Sequence, residues 1–181
     1  MRASAAALGG DARCVALAGD SAGGNAAVAV ALQLRDLGEA PPRAPTLLCP
    51  WLDMTLSSES YRRLAPRDPI LDHASMHFLI DCYLGGRSPR DPLASPILAD
   101  LFEIPETPIL VGEIDPLCSD GVTFVRRLEA QGGRAEMHAY PGMPHDFICY
   151  PWLQASQRAL DDVTRFQRRV LAPRSSRAQA G

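Results

Sequence analysis

The chain has 181 residues, 46% of them hydrophobic and 22% charged, with a formal net charge of −3. This is the composition of a folded globular domain, not of a disordered or collagen-like chain. All 18 basic residues are arginine. A Walker phosphate loop, a Schiff-base lysine and a Ser–Lys dyad are therefore excluded, because each needs a lysine ammonium. The mildly acidic balance argues against nucleic acid as a partner, and no apolar run reaches the ~18 residues of a membrane span.

The start, Met1-Arg2 and then Ala5 to Leu8, imitates a signal peptide only until Gly9, Gly10 and Asp11 interrupt it. A cytoplasmic protein is expected. Residues 14–18 form a short apolar run ending in Gly19, which predicts a buried parallel strand. An Ala- and Val-rich helix follows over 22–37, with Gly38 placed to terminate it. Further strands are predicted at 46–49, 109–111 and 135–140, ended by Pro50, Gly112 and Pro141-Gly142. Between the last two, residues 120–131 read as a helix with Asp120 as its cap and Val122, Val125 and Leu128 on one face. A final helix over 152–171 aligns Leu153, Leu160, Val163, Phe166 and Val170 in a stripe. Strands separated by helices imply right-handed crossovers and a mostly parallel sheet.

Residues 54–104 break this pattern. They are rich in Pro and Asp, and one helix at 74–84 presents Phe78, Leu79, Cys82 and Tyr83. An insert of that length usually covers something, so a cap over a pocket is expected. The predicted domain spans 1–172, with 54–104 as the cap region and 173–181 as a disordered tail. Five widely spaced cysteines, Cys14, Cys49, Cys82, Cys118 and Cys149, contain no CxxC pair. They read as reduced, buried thiols.

The sharpest chemical signal is Gly19-Asp20-Ser21-Ala22-Gly23-Gly24, placed between a strand and a helix. G-x-S-x-G puts a serine on a strained turn, where a Cβ at either flanking glycine, Gly19 or Gly23, is expected to collide with its surroundings. Ser21 is then pushed out at the carboxyl end of the sheet, and the Ala22 amide points at a reacting oxygen. A serine nucleophile needs a base, and the base an orienting acid. Asp115 follows the third strand and His145 the fourth, so both fall on the sheet edge that carries Ser21. Other candidates have plainer readings. Asp53 shapes a pocket floor, His138 is structural within a strand, and His73 and His77 sit on a solvated helix face without a third metal ligand.

Gly19 to Gly24, Leu48-Cys49-Pro50-Trp51-Leu52-Asp53, Asp115-Pro116-Leu117-Cys118-Ser119-Asp120 and Tyr140-Pro141-Gly142-Met143-Pro144-His145 resemble the hormone-sensitive-lipase-like esterases. These bacterial family IV carboxylesterases have the α/β-hydrolase fold. The resemblance runs from about Ala5 to Val170 and matches the C-terminal part of that fold. It implies an incomplete α/β-hydrolase, with a mostly parallel sheet of about four strands flanked by helices and a partial cap insert. It further implies Ser21 as nucleophile, Asp115 as acid, His145 as base, a short-chain carboxylic ester as substrate, and no cofactor or metal. Trp51, Phe78, Tyr83 and Phe147 are the candidate pocket residues. Two departures stand out. The HGGG segment that completes the family's oxyanion hole is absent from the 20 residues before Ser21, and Asp146 replaces the glycine that often follows the histidine. The first departure keeps a second reading open, a non-catalytic α/β-hydrolase-derived binding module or an inactive fragment. It also predicts self-association through the unpaired edge of the first strand.

Overall fold

A computed structural model describes residues 4–172; the predicted tail 173–181 lies outside the described residues. Four strands form one parallel sheet: β1 (Leu17–Asp20), β2 (Pro45–Leu48), β3 (Thr107–Gly112) and β4 (Ala135–Tyr140), in the spatial order β1-β2-β3-β4. Five helices accompany them: α1 (Ala22–Asp36), α2 (Glu59–Leu64), α3 (His73–Leu84), α4 (Cys118–Ala130) and α5 (Gln154–Leu171). The expected strand–helix alternation is present, with a parallel sheet flanked by helices.

Both faces of the sheet are covered, which is why β3 reads as an unbroken apolar run. Ile109 and Val111 of β3 point toward Val28 and Leu32 of α1 and Phe124 and Leu128 of α4, all buried together. Leu110, between them, points the other way and meets Cys49, Tyr140, Phe147 and Ala159 of α5. Among the described residues β1 pairs only with β2, so it forms an edge of the sheet.

Several boundaries and faces differ from the sequence reading. The first strand begins at Leu17 rather than at residue 14; Cys14 belongs to a turn in which its amide donates to the Asp11 carbonyl. On α5, Ala159 and Ser156 are buried while Leu160 is 45% exposed, because the small residues let the helix approach the sheet. On α3 the buried stripe is Met76, Ile80 and Leu84, not the Phe78–Cys82 face. Phe78 is 66% exposed, and the buried stripe packs on a second core containing Trp51, Tyr61 and Leu71. The short helix α2 lies inside the insert, where the sequence reading placed no helix. All five cysteines are free, but only Cys49 is buried; Cys82 and Cys149 are exposed.

Asp120 is not a helix cap. α4 starts two residues earlier, and the buried Asp120 carboxylate reaches back to β2's exit, where Oδ2 accepts the amides of Leu52 and Asp53 at 3.1 and 3.0 Å. Asp53 in turn folds its own loop, accepting from Thr55 and Ser57. Burial, then the charge of Asp53, pushes the Asp120 carboxyl well above the usual carboxylate range, although the two amides pull the other way. Replacing Asp120 by Ala orphans two buried N–H groups and should cost about 2–4 kcal/mol. Asp120→Asn keeps one accepting oxygen and removes a buried ionisable group, and should cost under about 1 kcal/mol. Urea unfolding of the two variants checks the contrast.

Candidate active site

Three strand ends meet at the carboxyl edge of the sheet. β1 runs into α1 through Ser21, whose backbone sits at φ 51° and ψ −116°. A non-glycine residue pays of order 1–3 kcal/mol to stay in such a conformation, so the surroundings must hold it. Three bonds do this: the Ser21 N–H donates to the Leu48 carbonyl at 2.8 Å, and its own carbonyl accepts from Gly24 at 3.0 Å and Trp51 at 3.1 Å. A Cβ on Gly19 would lie 2.0 Å from the Gly23 carbonyl oxygen, so this glycine is required by close approach. Gly23 differs from expectation: a Cβ there meets nothing within 4 Å. The second tight position is Gly24, whose Cβ would come 2.8 Å from that of Pro50.

Asp115 and His145 follow β3 and β4 on short loops and are both buried. The Ser21 Oγ lies 3.0 Å from His145 Nε2, and His145 Nδ1 lies 3.0 Å from Asp115 Oδ2. The other Asp115 oxygen accepts the Leu117 amide at 2.7 Å. With a carboxylate at Nδ1, the neutral ring carries its proton there and leaves the Nε2 lone pair facing the serine hydroxyl. Burial alone would depress the imidazole, but the Asp115 bond and charge, then the charges of Asp146 and Asp20, outweigh it and raise His145 above its ordinary value.

Asp146 holds a left-handed backbone at φ 51° and places Oδ1 3.1 Å from His145 Nε2. That nitrogen's hydrogen bond goes to Ser21, and Asp146 Oδ1 has no hydrogen-bond partner among the described residues. Asp20 stands against the same group. Burial, then the Asp146 charge, raises its carboxyl to about 7.

A cavity of about 340 Å³ opens onto Ser21, Ala22 and His145. Its walls are largely apolar, lined by Trp51 and by Met54, Ile70, Leu71, Ile80 and Tyr83 of the insert. Of the predicted pocket residues, Trp51 and Tyr83 line this space. Phe147 does not: it is buried behind the histidine loop, its ring 5.0 Å from that of Tyr140. Phe78 points to solvent from the far side of α3. Ala22 opens α1, so its N–H is a first-turn amide without an intrahelical acceptor. Sequence reasoning missed Asn25, which is buried beside the cavity and donates from Nδ2 to the Trp51 and Ala94 carbonyls at 2.9 and 2.7 Å. The signal was available, since it is the one polar side chain among residues 22–32 of an Ala-Val helix.

Cys49, Asp115 and His145 offer ligand atoms within 4.8 Å of one another. Burial pushes the Cys49 thiol far up, so it stays protonated, and Nδ1 is committed to Asp115. His138 bonds Glu136 on the surface of β4, and Tyr61 lies between His73 and His77.

The sequence profile of the α/β-hydrolase fold matches residues 1–149. The chain belongs to the α/β-hydrolase family. Solved structures similar to it include esterases of the hormone-sensitive lipase type. An esterase of the bacterial hormone-sensitive lipase family superposes with a TM-score of 0.87 at 36% identity, over 92% of this chain and 57% of that one. A hormone-sensitive lipase from a metagenome library gives 0.83 at 33% identity, over 86% and 52%. An acetyl-hydrolase of Streptomyces hygroscopicus is 35% identical over 155 residues, covering 85% of this chain and 52% of its own length. An esterase of Acinetobacter venetianus is 32% identical over 154 residues, covering 84% and 51%. The chain thus spans about half the length of the curated relatives it matches. No helix among the described residues is long and apolar enough to cross a membrane.

Two expected outcomes follow for this hydrolase site. Gly19→Ala should lose at least about 3 kcal/mol of stability because backbone must move, whereas Gly23→Ala should stay within about 1 kcal/mol; thermal unfolding compares them. Asp146→Asn removes a negative charge beside the ring, so the imidazolium loses stabilisation and the His145 pKa falls. Asparagine tolerates the left-handed backbone. NMR titration of His145 should show its midpoint move to lower pH, which would extend a base-dependent reaction downward in pH.

Proposed function

We propose that this chain is a serine hydrolase of short-chain carboxylic esters, working through an acyl-enzyme on Ser21. The observation that carries the reading is the continuous Ser21–His145–Asp115 hydrogen-bonded line at the mouth of an apolar cavity. His145 Nε2 takes the hydroxyl proton as Ser21 Oγ attacks the ester carbonyl carbon, and Asp115 holds the ring and stabilises the imidazolium. When the tetrahedral intermediate collapses, the bond to the alkoxide breaks and His145 returns its proton to that leaving group. Water, deprotonated by the same nitrogen, then attacks the acyl carbon; the bond to Ser21 Oγ breaks, His145 returns the proton to that oxygen, and the acid is released.

The related proteins named as an acetyl-hydrolase and an esterase support an ester as substrate. The modest cavity volume supports short acyl groups. In this reading residues 54–104 act as the cap, since Ile70, Leu71, Ile80 and Tyr83 line the cavity. The Ala22 amide receives the oxyanion. Five free thiols suit a reducing compartment such as the cytoplasm.

Fluorophosphonate labelling, read by intact mass, tests the proposal. The wild-type chain should gain one adduct, Ser21→Ala none, and His145→Ala should label at least about 10³-fold more slowly. A folded wild-type chain that takes no label would overturn the nucleophile assignment and favour a binding module.

A further inference from the structure

The loop that carries His145 leaves the sheet at Tyr140, so strand pairing does not hold the histidine backbone in place. Its amide is instead held from the insert, 77 residues away in sequence: the His145 N–H donates to Asp68 Oδ2 at 3.1 Å. Asp68 lies in the connection between α2 and α3, where its own N–H donates to the Leu64 carbonyl at the end of α2 at 3.0 Å. Its second oxygen, Oδ1, accepts the amides of Ile70 and Leu71 at 2.8 Å each. Ile70 and Leu71 are among the insert residues that line the cavity. One carboxylate therefore fastens the backbone behind the cavity wall and the backbone behind the imidazole to each other.

We infer that Asp68 is a positioning residue that sets His145 against Ser21 and makes the cavity wall and the base a single unit. The inference rests on the reading of Ser21, His145 and Asp115 given above. The residue type matters, because three N–H donors converge on both oxygens of one short side chain, and only a carboxylate accepts on both. Asparagine offers one accepting oxygen and one NH₂, so whichever way it turns, a donor faces a donor. Alanine accepts nothing. Glutamate adds a methylene that separates the two bonded segments. Asp68 touches no reacting atom; its effect passes through the His145 backbone to the direction in which the ring leaves it.

The test compares wild type, Asp68→Asn and Asp68→Ala by two readouts. One is the rate constant for fluorophosphonate labelling of Ser21. The other is the downfield NMR signal of the His145 Nδ1 proton, which reports the Asp115 bond without requiring any reaction. Misplacing a base by a fraction of an ångström should slow labelling about tenfold or more in both variants, and the proton signal should shift or broaden while circular dichroism remains that of the folded chain. A wild-type labelling rate with an unmoved proton signal in folded Asp68→Asn overturns the inference. So does a loss of labelling that only follows the folded fraction. If the wild-type chain takes no label, the nucleophile assignment fails instead. The His145 signal then decides Asp68 alone: moved in Asp68→Asn it supports the positioning role, unmoved it overturns it.

Discussion

The turn at Ser21 is the constraint on which the rest of the site depends. A serine at φ 51° between a strand and a helix persists only because neighbouring backbone holds it from two sides, through Leu48 and Trp51 at the end of β2. Those bonds require β2 to lie parallel and in register with β1, and Gly19 must come close enough to Gly23 that no side chain fits between. The exposed hydroxyl is thus a product of sheet pairing. It also explains why Asp120 reaches across from α4 to hold the amides of Leu52 and Asp53: the segment that leaves β2 braces the nucleophile and cannot be allowed to drift.

Around His145 the electrostatics are lopsided. Asp115 orients the ring from behind, while Asp20 and Asp146 stand on the side of the reacting nitrogen, and no arginine lines the cavity. Against burial, the Asp115 bond and charge, then Asp146 and Asp20, favour the protonated imidazole and raise His145 above its ordinary value. Burial, then the nearby Asp146 charge, raises the Asp20 carboxyl to about 7. The site is therefore tuned by a carboxylate pair that the G-x-S-x-G motif and the residue after the histidine supply together.

The insert is fastened near Ser21, Asp115 and His145 by one polar side chain each. Asn25, one helical turn after Ser21, holds the Ala94 carbonyl. Ser60 of α2 donates to the Pro116 carbonyl at 2.7 Å and accepts from Ser119 at 3.1 Å, beside Asp115. Asp68 takes the His145 amide. Between these three points the insert packs its own apolar core around Trp51, Tyr61 and Met76. An insert tied down at these three points forms a cavity wall whose position is fixed by directional bonds rather than by apolar contact alone.

The local pattern of the sequence was enough to locate the sheet and the order of the site. Parallel strands buried on both faces read as short apolar runs because they meet no solvent. The elbow could be read because Gly19 answers a local steric demand, and Asp115 and His145 because each follows a strand. Tertiary structure decided what depends on distant partners. Nothing near Asp120 in sequence shows that its carboxylate is spent on β2, so a cap was the local reading. Phe78 and Phe147 look alike as apolar residues, yet one faces solvent and the other lies behind the histidine loop, because the direction a helix or turn faces is set by what packs against it. Asp68 carries no local mark at all. Its role is created by the approach of a loop 77 residues away, and contacts that long in sequence exist only once the chain has folded.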